Sequence, residues 1–87
     1  LKSGYKVPTE AQAKKLAYLF GMPGAKVLIG ENYVDPTDRV LRARGWVRRN
    51  GEVHQFSNPA YGTGYYHVIT EDGLVALETY FRKRRLK

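Results

Sequence analysis

Cysteine is absent from this chain of 87 residues, so neither a disulfide nor a thiolate metal site can staple the fold. Its absence fits a reducing compartment. No apolar run approaches the ~18 residues of a membrane span, and no signal-peptide pattern opens the chain. Also missing are a glycine-rich phosphate loop, a cysteine nucleophile and paired carboxylates beyond those at helix starts. No enzymatic activity and no cofactor is therefore expected. Histidine occurs twice, at His54 and His67, and two ligands without a third make a poor metal site. Paired strand histidines filling space are the plainer expectation. The first residue is Leu1 rather than Met, which reads as a trimmed chain or a fragment.

Acidic residues are scarce too. Eight stand against 15 lysines and arginines, for a net charge of +7. Unpaired positive charge on so small a body favours polyanionic partners, nucleic acid first among them. With 43% hydrophobic residues and 13% aromatics, the chain can bury one core. At this length one domain is expected, spanning residues 9–87 after an irregular lead-in at 1–8.

Three helices punctuate that domain. Thr9 and Gln12 form a Thr-x-x-Gln capping box for a helix reaching about Phe20, with Ala13, Leu16, Ala17 and Phe20 on one face. Asp35 and Pro36 start a second helix over 36–44, which Gly45 ends. A turn of 100° per residue puts Val40 and Leu41 on one side, and Asp38, Arg39, Arg42 and Ala43 on the other. Thr70 caps a third helix, whose stripe is Leu74, Leu77 and Phe81, followed by the basic run Arg82-Lys83-Arg84-Arg85 and Lys87.

Between the helices lie extended runs. Val27-Leu28-Ile29 suits a short buried strand or a single helical turn, and Tyr33 and Val34 should pack ahead of the second helix. Trp46-Val47 begins a strand, with Trp46 and Phe56 read as core. Asn50-Gly51 signals a turn, Glu52–Phe56 is extended, 57–64 is loop, and Tyr65–Ile69 is a strand. The class is α+β, with three helices and a two- or three-stranded antiparallel hairpin.

Val40-Leu41-Arg42-Ala43-Arg44-Gly45-Trp46-Val47 resembles the end of the recognition helix in MarR-like repressors, where a Leu-x-x-Arg-Gly-Leu-Val run enters the wing. Tyr66-His67-Val68-Ile69-Thr70-Glu71-Asp72-Gly73 is similar to the segment that leaves it. The pattern covers about residues 9–85 and resembles the minimal winged helix-turn-helix module of small phage and mobile-element proteins. In place of the helix that usually precedes the recognition helix stands the Val27–Ile29 run. Asp38 occupies a position where these families place an apolar residue.

The resemblance implies binding of double-stranded DNA by a transcription regulator or accessory protein. Thr37, Asp38, Arg39 and Arg42 would contact bases in the major groove, where an arginine fork can bond guanine O6 and N7 together. Arg48 and Arg49 would meet flanking phosphates, as would Arg82, Lys83 and Arg84 in the tail. Asn58, Tyr61 and Thr63 form the wing tip. Lacking lysine and arginine, that tip suits a protein partner as well as a DNA backbone. The alternative function is therefore a winged-helix interaction module docking on a host protein or nucleoprotein. Monomer and homodimer are both open, no membrane contact is expected, and the setting implied is cytoplasmic.

Overall fold

A computed structural model describes residues 7–32 and 34–85, with Arg85 through its backbone only. The lead-in residues 1–6, Tyr33 and Lys87 thus lie outside the described residues. The order is α1 (Glu10–Gly21), β1 (Val27–Gly30), α2 (Pro36–Ala43), β2 (Val47–Gln55), a 3-10 turn (Pro59–Tyr61), β3 (Thr63–Ile69) and α3 (Glu71–Arg85). The strands form one antiparallel sheet in the order β1-β3-β2. The third strand is therefore Val27–Gly30, at the free edge of β3.

Each helix starts where its cap dictates. Both bonds of the Thr9–Gln12 capping box form, at 3.3 and 2.9 Å. The Asp35 carboxylate accepts from the Thr37 N–H at 2.8 Å, ahead of Pro36 in the first helical position. Gly45, at φ +75°, turns the chain out of α2, and the Trp46 N–H closes on the Leu41 carbonyl at 2.9 Å.

The core gathers Ala13, Leu16 and Leu19 of α1, Ile29, Leu41, Trp46, Val47, and Ala76 and Leu77 of α3. Paired residues share a sheet face, so register separates two sides. Val27, Ile29, Val47, His67 and Ile69 face the helices, whereas Leu28, Tyr66, Val68 and Arg48 face away. Ala13, Leu16 and Leu77 are buried as expected, but Leu19 takes the core place expected for Phe20, which is 63% exposed, and Ala76 that expected for Phe81, which is 44% exposed.

Asn50-Gly51 does not end a strand. β2 runs through it with an irregularity between Arg49 and Val53, where three β2 residues oppose one of β3. The Asn50 carboxamide oxygen accepts from the Glu52 N–H at 2.9 Å, and Gly51 takes φ +97°. The local turn chemistry was satisfied as a bulge, because flanking pairs on both sides hold to the same partner strand. Thr63 and Gly64, expected as loop, open β3.

Two segments lock together where α2 ends and α3 begins. The Thr70 hydroxyl donates to the Gly45 carbonyl at 2.7 Å, and its N–H donates to the Trp46 carbonyl at 2.9 Å. The same hydroxyl accepts from the Gly73 N–H at 3.1 Å. A Cβ on Gly73 would overlap the Trp46 carbonyl oxygen and come within 2.8 Å of Ile69 Cγ1. Gly73→Ala should therefore lower stability by about 1–3 kcal/mol through overpacking. Gly21→Ala, which meets open space, should be neutral or stabilising by up to about 1 kcal/mol. Thermal unfolding of the two variants checks the contrast, at roughly 4–8 °C per kcal/mol.

Candidate functional site

The arginines of α2 and β2 divide by geometry. Arg39 and Arg42 are exposed, one turn apart on the outer side of α2. Thr37, half-buried, sits at the start of the same helix. Asp38 departs from the expected arrangement. It is 4% exposed and turned inward, where its carboxylate accepts from Lys15 Nζ of α1 at 2.6 Å. It occupies the apolar side with Leu41 and ties α2 to α1, so it does not stand beside Arg39 and Arg42.

Strand alternation separates Arg48 from Arg49. Arg49 pairs with His67 and shares the helix-bearing face; Arg48 pairs with Val68 and shares the opposite one. The Arg49 guanidinium lies flat on the Tyr65 ring, 3.8 Å from its centroid. Such stacking holds the planar fork in one orientation while its edges stay available to a ligand. Arg48 instead turns back, with Nη1 donating to the Arg49 carbonyl at 3.4 Å. Arg44, at the C-cap of α2, packs over Trp46 at 5.9 Å.

His67 lies beneath this surface, 2% exposed. Its Nδ1 is 2.8 Å from the Tyr65 carbonyl, which can only accept, so that nitrogen carries the proton. Burial pushes its pKa down. The bond to Tyr65 opposes this, the charges of Arg49 and Arg42 add to it, and Asp38 opposes it again. Charges carried by both α2 and β2 therefore bear on this one ring. His54 pairs with Gly64 rather than His67 and stacks edge-on to Phe56 at 4.9 Å. The two histidines do not face each other, and among the described residues no cluster of three metal-ligating side chains occurs.

The tip is braced. Asn58 accepts from the Ala60 N–H at 3.0 Å and caps the 3-10 turn. Asn32 Nδ2 donates to the Ala60 carbonyl at 3.0 Å, and Glu31 Oε1 accepts from the Thr63 N–H at the same distance. Phe56, expected in the core, instead packs edge-on to Tyr61 at 5.7 Å and lies over Gly64. Asn58 and Tyr61 are exposed, Tyr61 at 46%, and Thr63 is half-buried. The tail is set apart. Arg82 pairs with Glu78 at 3.2 Å, Arg84 bonds the Tyr80 hydroxyl at 3.0 Å, and Lys83 and Arg84 border Val7 and Pro8. At about 1.5 Å per residue, they lie roughly 13–17 Å along α3 from Gly73, which packs on the Trp46 carbonyl just beyond α2.

The resulting site is Arg39, Arg42 and Arg49 at the surface, with Tyr65 supporting Arg49 and His67 below. Tyr65 and His67 were not legible as site residues. Counting strand parity from Val47 would have separated Arg48 from Arg49, but the support for Arg49 depends on the β2–β3 register.

No family model matches the chain, and no solved structure matches it. Among curated proteins it is similar to a UDP-N-acetylenolpyruvoylglucosamine reductase of Methylorubrum extorquens, 31% identical over 84 residues. That match takes in 91% of this chain and 27% of the reductase, so the chain spans about a quarter of its relative's length. Among the described residues no helix is long and apolar enough to cross a membrane.

Two substitutions test the buried polar groups. The unfolded chain protonates His67 below about pH 6.5, where the buried ring stays neutral, so stability should fall as pH drops from 6.5 toward the depressed folded value. In His67→Phe the decline of melting temperature over that window should be shallower. Lys15→Met strands the Asp38 carboxylate and should cost about 1–3 kcal/mol in urea unfolding, less than for a fully buried pair because the Lys15 side chain is 39% exposed.

Proposed function

We propose that this domain binds double-stranded DNA as a minimal winged helix, acting as a transcription regulator or accessory factor without catalysis. What supports the reading is a pair of exposed arginines one turn apart on α2, Arg39 and Arg42, followed in the adjoining strand β2 by Arg49 held on the Tyr65 ring. α2 supplies base contacts from its exposed arginines, and its Ala43 leaves room for close approach. Arg49, held on Tyr65, takes a phosphate beside the groove. The sheet order β1-β3-β2, with α2 running directly into β2, supports the same reading. Arg48 faces away and contributes general field, as does the tail.

A second reading has its own support. The uncharged, braced tip with exposed Tyr61 favours a module that docks on protein. In that reading the arginine surface meets an acidic partner.

Fluorescence anisotropy with a random duplex at low salt separates the two. If ~4–6 phosphates are neutralised, log affinity should fall against log salt with a slope of about −4 to −5. Arg39→Glu with Arg42→Glu should abolish binding with an unchanged circular dichroism spectrum. Arg49→Gln should weaken binding to all sequences alike and reduce the slope by about 1, whereas Arg48→Gln should change affinity less. No duplex binding, or a flat salt dependence, transfers the function to the protein-docking reading.

A further inference from the structure

His67 makes none of the DNA contacts proposed above, yet it adjoins one of the residues that do. In the β2–β3 register it is the cross-strand partner of Arg49 and shares its face of the sheet. Such pairing sets the two Cβ atoms about 4.5–5.5 Å apart. The His67 ring is 2% exposed. Tyr65 joins the two residues a second time. Its ring carries the Arg49 guanidinium, 3.8 Å from the centroid, and its backbone carbonyl accepts from His67 Nδ1 at 2.8 Å. Because Nδ1 already holds a proton, a second one enters at Nε2 and makes the ring an imidazolium.

The charges that bear on this ring come from β2 and α2. Arg49 and Arg42 oppose an imidazolium, and Asp38 favours it. Lys15 of α1 is paired with Asp38 at 2.6 Å, and β1 sets the uncharged Val27 beside the ring. The favouring carboxylate is 4% exposed and already paired, whereas both opposing arginines are exposed. An anion arriving from solvent therefore meets only the opposing side of this balance. Neutralising either guanidinium removes a charge that repels the second proton. The reverse holds by the same free energy, since an imidazolium beside Arg49 adds to the positive charge that draws the anion.

We propose that anion binding at Arg42 and Arg49 and protonation of His67 are coupled, each favouring the other, so that the domain holds a phosphodiester backbone more tightly in mildly acidic solution than at neutral pH. The proposal rests on the reading of these arginines as contacts to a polyanion. His67 itself touches no nucleic acid and acts through the charge it places beside Arg49. His54 is exposed and pairs with Gly64 on the other face of the sheet, which makes it an internal reference.

Proton NMR of both imidazole rings in the whole chain, from about pH 8 to about pH 5, tests the coupling. Sodium sulfate, compared with sodium chloride of equal ionic strength, should move the His67 titration to higher pH and leave that of His54 in place. Arg49→Gln should move it the same way without sulfate, since one repelling charge is gone. In fluorescence anisotropy at fixed salt, duplex affinity should rise by about threefold or more between about pH 7.5 and about pH 5.5. His67→Gln should flatten that rise, and His54→Gln should keep it. Circular dichroism at both pH values checks folding, and the Arg49→Gln titration still decides if His67→Gln does not fold. A His67 titration that neither sulfate nor Arg49→Gln moves overturns the proposal. So does a duplex affinity flat across that range, or a full rise retained by His67→Gln. A duplex that binds at neither pH, with the sulfate shift intact, ends the DNA reading and leaves the coupling standing.

Discussion

The hydrogen-bonded junction between Gly45-Trp46 and Thr70-Gly73 organises this domain. One threonine side chain caps α3 and, in the same position, bonds the carbonyl that follows α2. The end of α2, the entry to β2, the exit of β3 and the start of α3 are thereby held at one point. Removing any Cβ at residue 73 is what allows the helix N-terminus to approach the Trp46 carbonyl so closely. Trp46, 1% exposed, then sits under the junction and fills the space between the helices and the sheet. Distances among the arginines depend on this arrangement, since α2 and β2 diverge from it.

From that point outward, two ordinary periodicities sort the basic residues. The helical period puts Arg39 and Arg42 together, while the ion pair with Lys15 of α1 holds Asp38 inward. The strand period sends Arg48 and Arg49 to opposite faces. A chain with +7 net charge therefore directs only part of its positive surface to one side, and the remainder acts through the long-range field. Arg49 lies closest to its ring, 3.8 Å from the Tyr65 centroid against 5.9 Å for Arg44 over Trp46. Lys26 shows the same device on the other sheet face, stacked over Tyr66 at 4.6 Å and paired with Glu52 at 2.7 Å.

Local signals were readable wherever a residue acts on its own backbone neighbours. Thr9 with Gln12, Asp35 with Pro36, Gly45 and Thr70 mark helix limits within a residue or two, because capping is a short-range hydrogen-bonding requirement. Asn50-Gly51 shows the limit of such signals. Its preference for a turn is real and its side-chain bond forms, yet strand pairing on both flanks converts the turn into a bulge. Phe20 and Leu19 show another. Both fit an apolar face of α1 by spacing, and only the tertiary packing selects Leu19. Asp38 was grouped with Arg39 and Arg42 by helical spacing, yet it faces Lys15 across a helix–helix contact that no local pattern encodes.

By itself the sequence determined the α+β class, the three helices with their caps, the extended character of 27–29 and 65–69, and a strongly basic surface without cysteine. These follow from composition and from interactions reaching at most about a helical turn. Tertiary structure decided the sheet order, the burial of Asp38 and His67, the separation of Arg48 from Arg49, and the ring beneath Arg49. Each of those depends on residues far apart in the chain meeting in a fixed register, so it exists only once the strands have paired. The stretch from Asp35 to Arg49 carries the arginines, but the packing around Trp46 and the pairing with β3 decide which of them share a face.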